Sequence, residues 1–228
     1  GRELHLLIGS LITMDDGSSI ILYAQTRSGY ANLSTLISRG RLRSPKGFSS
    51  VSWPELEEHS RDLIALLPSQ GEIFFASDRI GALTAIFADR LYIGVSRHYE
   101  ALELARELEL WRLAEEHDLP LVALPRVLYH LPDRRRLQDV VTAIANGVSL
   151  EEAGTLLRPN DSFALPSLQE MESRYRDEPR LLARTLEIAE RCSFSLSEIV
   201  YRYPSQRLPA GYTTAQWLRE LTWQGAAG

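Results

Sequence analysis

Residues 91–124 read LYIGVSRHYEALELARELELWRLAEEHDLPLVAL, and this stretch decides the fold class. Its two ends, Leu91–Val95 and Leu121–Leu124, are short apolar runs typical of buried strands. Between them, residues 100–117 have the length and apolar spacing of a helix. The side chains predicted to form its buried stripe are Leu104, Leu108 and Trp111. A strand, a helix and a second strand in succession predict an α/β fold with a mostly parallel sheet.

The sequence before this stretch adds further strands and helices. Leu4–Ile8 and Ile20–Ala24 are β-rich runs, and the turn residues Asp15-Asp16-Gly17 between them predict a hairpin. The other predicted elements are a helix at Ser28–Arg43 ended by Ser44–Gly47, a helix start capped by Ser52, a strand at Leu63–Leu67 and a helix at Phe74–Ala88.

Beyond Pro132 the strand signals stop and helical patterns follow. One helix is predicted from an apolar face that ends at Gly147, with members Leu137, Val140, Val141, Ile144 and Ala145. Ser149 and Glu152 have the spacing of a capping box. The remaining predictions are a helix with the stripe Leu181, Thr185, Ile188 and Cys192, an extended segment at Tyr201–Pro204, and a last helix at Thr213–Leu221.

The composition is that of a globular protein, with 44% hydrophobic and 24% charged residues among 228. The net charge of −5 argues against a chain that attracts nucleic acid as a whole, so DNA contact would need a local basic patch. The single cysteine, Cys192, is expected to be a buried residue of a protein from the reducing cytoplasm. No secretory leader or membrane-spanning run is apparent, and Gly1 is expected to mark a cut in a longer polypeptide.

Four stretches resemble one protein family, in the family's order and over nearly the whole chain. They are GYANLSTLISRGR at 29–41, RRRLQDVVTAI at 134–144, ERCSFSLSE with YRYP at 190–204, and GYT with WLRELT at 211–222 followed by Gly225. These stretches are similar to the alpha subunits of bacterial C-family DNA polymerases, and to the error-prone branch in particular. The resemblance implies a PHP (polymerase and histidinol phosphatase) domain, which is an irregular β/α barrel.

The same resemblance implies the organisation of the chain. Residues 1–147 would form an incomplete PHP-type β/α barrel, residues 148–204 a helical extension that closes it, and residues 205–228 the start of the polymerase region. The family's opening strands, with their paired histidines, would precede Gly1, and its three catalytic aspartates would follow Gly228. The parent enzyme would copy damaged DNA by translesion synthesis, and this chain alone is expected not to polymerise nucleotides.

Active PHP domains hold metal ions at the ends of barrel strands, and the matching positions here carry other residues. An acidic residue is expected after Ile8-Gly9-Ser10, where Leu11 stands. A glutamate is expected after the strand Leu91–Val95, where Ser96 stands. An Asp-x-His pair is expected after Pro125, where Arg126 and Leu128 stand. The surviving histidines are His98 and His130.

These replacements remove the donors that a divalent cation needs. Leucine has no lone pair, and the guanidinium of Arg126 would place a permanent positive charge beside the ion. Hydrolysis of a phosphodiester by metal ions requires a bound hydroxide and a clamp on the leaving oxygen. We therefore expect a degenerate metal site with no catalytic residue and no cofactor, and structural or solvent-facing roles for His98 and His130.

Two basic runs are candidate contacts for DNA or for phosphate. The first is Arg39, Arg41, Arg43 and Lys46, and the second is Arg134, Arg135 and Arg136. The alternative for the first run is a solvated helix end, where cations favour the helix dipole. The second run starts a helix, where positive charge is disfavoured, so a partner carboxylate or phosphate is expected.

Three hypotheses for the function follow. The first is a structural and interaction scaffold whose partner is the remainder of the polymerase chain, with DNA backbone as a further partner and no membrane. The second is a metal-dependent phosphoesterase or 3′-5′ exonuclease of the PHP superfamily. The third is a DNA-binding module. The C-terminal helix is expected to expose apolar side chains and to permit dimerisation, its members being Trp217, Leu218, Leu221 and Trp223.

Overall fold

A computed structural model of the chain describes residues 4–69, 77–200 and 208–227. Contacts divide the chain into a large unit, Gly1–Ser195, and a small unit, Leu196–Gly228. The predicted domain limits at residues 147 and 204 stay predictions. None of the helices in the described ranges is both long and apolar enough to cross a membrane.

The large unit contains an open sheet of five strands in the order β1-β2-β3-β4-β5. The strands are β1 (Gly9–Thr13), β2 (Ser19–Ala24), β3 (Leu63–Leu67), β4 (Leu91–Val95) and β5 (Leu121–Ala123). The pairs β1–β2 and β2–β3 are antiparallel, whereas β3–β4 and β4–β5 are parallel. The α/β class is confirmed, but the expectation of a mostly parallel sheet is wrong because two of the four pairings, β1–β2 and β2–β3, are antiparallel.

The hairpin is present, but its first strand was predicted in the wrong place. Thr13 pairs with Ser19 in the register of β1 and β2, so the strand runs directly into the turn. The turn is closed by Met14 N–H donating to Ser18 O at 2.8 Å and by Gly17 N–H donating to Met14 O at 3.0 Å. Gly17 has a φ of 84°, which favours glycine. A tight turn at residues 15–17 therefore requires Gly9–Thr13 as its strand, and Leu4–Ile8 precedes this strand, with Ile8 O accepting a hydrogen bond from Ala24 N–H at 2.9 Å.

The helices largely follow the predictions. They are α1 (Arg27–Arg43), α2 (Trp53–Glu58), α3 (Ser77–Phe87), α4 (Glu103–His117), α5 (Arg135–Asn146), α6 (Leu168–Arg174), α7 (Pro179–Arg191) and α8 (Thr214–Ala226). Ser52 and Thr213 start α2 and α8 with capping boxes. Ser149 and Glu152 exchange the predicted hydrogen bonds, although no α-helix follows them. The predicted residues 74–76 and the segment Tyr201–Pro204 lie outside the described ranges.

The stripe predicted for α4 is wrong. The buried residues of this helix are Leu110, Leu113 and Ala114, whereas Leu104, Leu108 and Trp111 are exposed. The leucines of α4 are distributed around the whole helix, so two different faces carry apolar residues at helical spacing. The sheet selects one of these faces, and spacing within the helix does not tell which.

The core forms on both faces of the sheet, because every residue of β3 and β4 is buried. The alternate residues Ile64 and Leu66 pack with Tyr92 and Val122 against Ile188 of α7 and against Cys192, which follows the helix. Leu181 is buried as well and Thr185 is half-buried, so the predicted stripe is confirmed as the inward side of this helix. Burial raises the pKa of the Cys192 thiol to about 11, as expected for a cysteine that serves as a small apolar core residue.

Candidate functional site at the carboxyl edge of the sheet

The carboxyl ends of β3, β4 and β5 meet at one edge of the sheet, where α/β proteins commonly place their sites. Ser69 follows β3, and its hydroxyl accepts a hydrogen bond from Ser96 N–H at 3.2 Å. The hydroxyl of Ser96 donates to Leu124 O, beyond β5, at 2.5 Å. Ser96 is buried, so this side chain joins the strand ends to each other and is committed to the protein's own main chain.

His98 lies at the centre of this edge and is 1% exposed. Its Nε2 accepts a hydrogen bond from Arg126 N–H at 3.1 Å, which requires an unprotonated Nε2. Its Nδ1 then carries the proton and donates to Ser162 O at 3.2 Å. The ring stacks on Phe163 with centroids 4.0 Å apart and planes 6° from parallel. Both ring nitrogens are thus bound to main-chain groups, and the lone pair that could bind a metal is in use.

The main chain at His98 is also held firmly. His98 O accepts hydrogen bonds from Asn160 Nδ2 at 2.7 Å and from Ser162 Oγ at 2.8 Å. The Glu103 carboxylate accepts from the N–H groups of His98 and Tyr99. These contacts fix the loop after β4, including Tyr99 at a φ of 56°, so the imidazole cannot swing outward without breaking several hydrogen bonds.

His98 gives the first prediction, because burial lowers its pKa and the charges of Arg174 and Arg126 lower it further, against the Ser162 carbonyl and Glu100. The folded-state pKa lies below the unfolded value of about 6.5, so the unfolded state binds the extra proton. The contribution of the neutral His98 ring to the stability of the fold is complete above the unfolded-state pKa. It is lost as the pH falls from that value towards the lower folded-state pKa. We expect the free energy of unfolding of the wild type to drop between about pH 7.5 and pH 5.5.

The measurement is urea unfolding of the wild type and of His98→Gln across this pH range. His98→Gln should cost about 1–3 kcal/mol at neutral pH, since buried hydrogen bonds are lost, and should flatten the pH dependence. His130→Gln, at an exposed position, is the control for loss of a histidine. An unchanged pH dependence in His98→Gln would contradict the assignment of a buried neutral ring.

The other positions implied by the resemblance do not converge on His98. Leu128 is half-buried and packs against Tyr129 and Phe163, and its N–H donates to Phe163 O at 2.9 Å. Leu11 is 59% exposed on β1, the edge strand opposite β5. Arg126 follows β5, so the open sheet places three strands between Leu11 and Arg126. Partial burial and the charge of Arg158 lower the pKa of Arg126, whereas Glu100 raises it.

These residues do not fit a metal ion. Ser96 and His98 are bound to main-chain groups, and Arg126 contributes a cation. Within residues 4–69, 77–200 and 208–227, no group of three or more His, Cys, Asp or Glu side chains is placed to hold a metal. The described side chains at this edge can therefore position main chain, but among residues 4–69, 77–200 and 208–227 they do not form a set of ligands for a cation.

His130 lies in a cleft beside this edge. The cleft has a volume of about 720 Å³ and is lined in part by Tyr99, Asp161, Ser162, Glu170 and Arg174. His98 is not among the lining residues, because Ser162 and Phe163 cover its ring. His98 and His130 therefore have different environments, the first buried and the second open to solvent.

Arg97 is a central residue of this edge that the sequence analysis missed. Its guanidinium binds Glu107 at 2.6 and 2.9 Å and Asp177 at 2.6 and 3.0 Å, and it donates to Arg174 O at 2.6 Å. It also stacks over Tyr175, whose hydroxyl donates to Val95 O at 2.8 Å. Glu107 and then Asp177 raise the pKa of Arg97. An arginine two residues after a buried strand was the available signal.

No protein-family model matches the chain. Curated relatives do match along its whole length. The chain is similar to about one fifth of an error-prone DNA polymerase. It is 35% identical to error-prone DNA polymerase 1 of Agrobacterium fabrum and 38% identical to the error-prone DNA polymerase of Pseudomonas aeruginosa, in each case over 99% of this chain and 21% of the relative. The Methylococcus capsulatus enzyme is 40% identical over 97% of the chain and 21% of its own length.

The first basic run of this polymerase-like chain is partly neutralised. Arg39 binds Glu58 at 2.9 Å, and Arg43 binds Glu55, both on α2. Burial raises the pKa of Glu55, but hydrogen bonds from Arg43 and Ser52 outweigh it and lower the value to about 2. Arg41 and Lys46 are exposed and have no acidic partner among the described residues. Two of the four predicted phosphate contacts are therefore committed to the protein itself.

The second basic run is divided in the same way. Arg135 donates to Arg158 O at 2.8 Å and lies 3.7 Å from Asp139. Arg134 and Arg136 are exposed, and no acidic side chain of the described ranges pairs with them. Only the two flanking arginines are thus available to an external carboxylate or phosphate.

Proposed function

We propose that this chain is a non-catalytic, PHP-type part of an error-prone DNA polymerase and acts as a structural and interaction scaffold. The observation that carries the proposal is the state of His98, whose two ring nitrogens are both bound to main-chain groups. Ser96 is likewise bound to Leu124 O. The side chains at the strand ends thus form a hydrogen-bond network with the main chain. Such a network makes this part of the fold rigid and leaves no free reactive group on Ser96 or His98.

The chemistry of phosphodiester hydrolysis supports the same proposal. Metal-assisted hydrolysis needs a bound hydroxide and a second contact on the leaving oxygen, supplied by carboxylate and imidazole cages. The positions implied by the resemblance carry Leu11, Ser96, Arg126 and Leu128, none of which is anionic. A guanidinium at one strand end opposes a divalent cation electrostatically.

The fold is compatible with part of a PHP-type barrel. Parallel strands β3 to β5 alternate with helices α3 and α4, as in a β/α barrel, and the sheet is open at β1 and β5. We propose that the chain spans one fifth of a polymerase whose remaining four fifths carry nucleotide addition opposite damaged DNA. The fragment then supplies a folded surface for that larger body.

The scaffold role predicts a large effect of deletion in a full-length error-prone polymerase. Removing the region equivalent to residues 1–195 should lower the thermal midpoint and leave mostly aggregated protein, because the surfaces that this domain covers become exposed. Thermal unfolding and primer extension would be measured on the soluble fraction. A deleted enzyme that keeps full solubility and activity would overturn the proposal.

A second candidate function rests on the cleft that contains His130. Asp161, Glu170 and Arg174 share this cleft, so acid–base groups do surround an open volume. A phosphoesterase would then act here instead of at the strand ends. Turnover of single-stranded DNA in manganese that is abolished by His130→Ala would favour this candidate over the scaffold.

A further inference from the structure

Helix α5 turns its apolar side away from its own domain. Its exposed fractions are 56% for Leu137, 39% for Val140, 50% for Val141 and 72% for Ile144. These four residues, here called the α5 face, follow the i, i+3, i+4, i+7 spacing of a helix that normally packs against a core. The one buried residue of the helix is Ala143.

The polar side of α5 is the side that contacts the domain. Arg135, Asp139 and Thr142 are less exposed than the α5 face. Arg135 anchors the start of the helix through Arg158 O at 2.8 Å. At the other end, Gly147 caps the helix with a φ of 66°, and Val148 N–H donates to Ala143 O at 3.1 Å. The Arg135 contact and the buried Ala143 therefore set the outward orientation of the helix, and the cap at Gly147 ends it.

Charge at the start of α5 gives an independent indication of a partner. Arg134 and Arg136 are exposed and pair with no acid in the described ranges. Positive charge at a helix N-terminus is disfavoured by the helix dipole. Two unpaired guanidiniums beside an apolar face therefore fit a partner surface that is apolar in the middle and carries carboxylates at its rim.

We infer that the α5 face docks onto the remaining part of the same polymerase polypeptide, an inference that rests on the proposed function. The relatives are matched over only 21% of their length, so most of each relative is available to cover this helix. A helix of this length is about 18 Å long and about 10 Å wide. One side of the helix therefore offers roughly 180 Å², well below the ~800 Å² per partner of a standard interface between separate proteins. Docking within one polypeptide can succeed with a smaller area because the two surfaces are held at a high effective concentration.

The test compares cysteine labelling of the 228-residue chain with labelling of the full-length polymerase. Ile144→Cys would react with a maleimide in each form, and mass spectrometry of the labelled peptide gives the rate. Leu104→Cys, at an exposed apolar position on α4, is the matched control. A docked population of about 90% should slow Ile144→Cys labelling about tenfold in the full-length protein, with Leu104→Cys unchanged.

Three outcomes would overturn the inference. Equal rates for Ile144→Cys in both forms would show that nothing covers the α5 face. Equal slowing of Leu104→Cys would show a general loss of access. Protection in the 228-residue chain that rises with its concentration would identify a second copy as the occupant. Failure of the proposed scaffold role is seen separately, as full stability of the deleted polymerase.

Discussion

Replacing Arg97 with alanine is expected to lower the free energy of unfolding by about 3–5 kcal/mol, the cost of leaving one partner of a buried ion pair alone. The Arg97 and Glu107 side chains are 14% and 12% exposed, so solvent replaces little of the lost interaction. The guanidinium also joins the end of β4 to Asp177 and to Arg174 O. The loss should therefore loosen the contact between α6, α7 and the sheet.

The control for this experiment lies on the same helix as Glu107. Arg112 binds Glu109 and Glu116 on the exposed side of α4, where ion pairs contribute little. Arg112→Ala should leave the free energy of unfolding nearly unchanged, because exposed ion pairs are screened by solvent. Urea denaturation of both variants gives the comparison. Similar losses for the two would mean that the Arg97 network is as weak as a surface pair.

Replacing Gly29 with alanine is expected to destabilise the protein by about 3 kcal/mol or more, because the new methyl group meets main chain. A Cβ atom at this position would lie 2.0 Å from Asp62 O. Asp62 O also accepts a hydrogen bond from Gln25 N–H at 3.0 Å, and Asp62 itself has a φ of 59°. Neither α1 nor the segment before β3 can give way without breaking these contacts.

Gly81 provides a matched control within α3. Apart from the neighbouring residues and the backbone of the helix itself, no atom of the described residues lies within 4 Å of the Cβ that alanine would add there. Alanine in a helix interior is favoured over glycine by about 0.5–1 kcal/mol, so Gly81→Ala should stabilise the protein. Thermal unfolding would therefore move in opposite directions for the two variants. A stabilised Gly29→Ala protein would show that α1 packs differently against Asp62.

The sequence predicted which elements form more accurately than which surfaces they bury. The α/β class, strands β3 and β4, and helices α1 and α7 follow from local spacing and turn residues. The prediction of β1 was wrong because two apolar runs precede the turn. Only the hydrogen-bond register with β2 shows which of the two runs is the strand. The buried stripe predicted for α4 is exposed in the structure, because helical spacing does not specify which face of a helix the sheet covers.

The candidate site was accessible to sequence reasoning only in part. The residue types at Ser96, His98 and Arg126 predicted that these positions do not form a set of metal ligands. That an ancestral set of ligands was lost is a proposal. The partners of His98 come from Ser162 and Asn160, more than sixty positions along the chain, and no local pattern connects them. The same holds for Arg97, whose partner Asp177 is 80 residues away. Contacts of this range are set by the tertiary fold.

The most direct test of the scaffold account observes the His98 ring while metal is added. Nitrogen NMR of the imidazole in the 228-residue chain, titrated with Zn²⁺ or Mn²⁺, reports the protonation of each ring nitrogen. The account predicts a neutral ring with the proton on Nδ1 and no stoichiometric metal binding that alters it. A ring whose Nε2 binds one equivalent of metal, with a raised thermal midpoint, would contradict it.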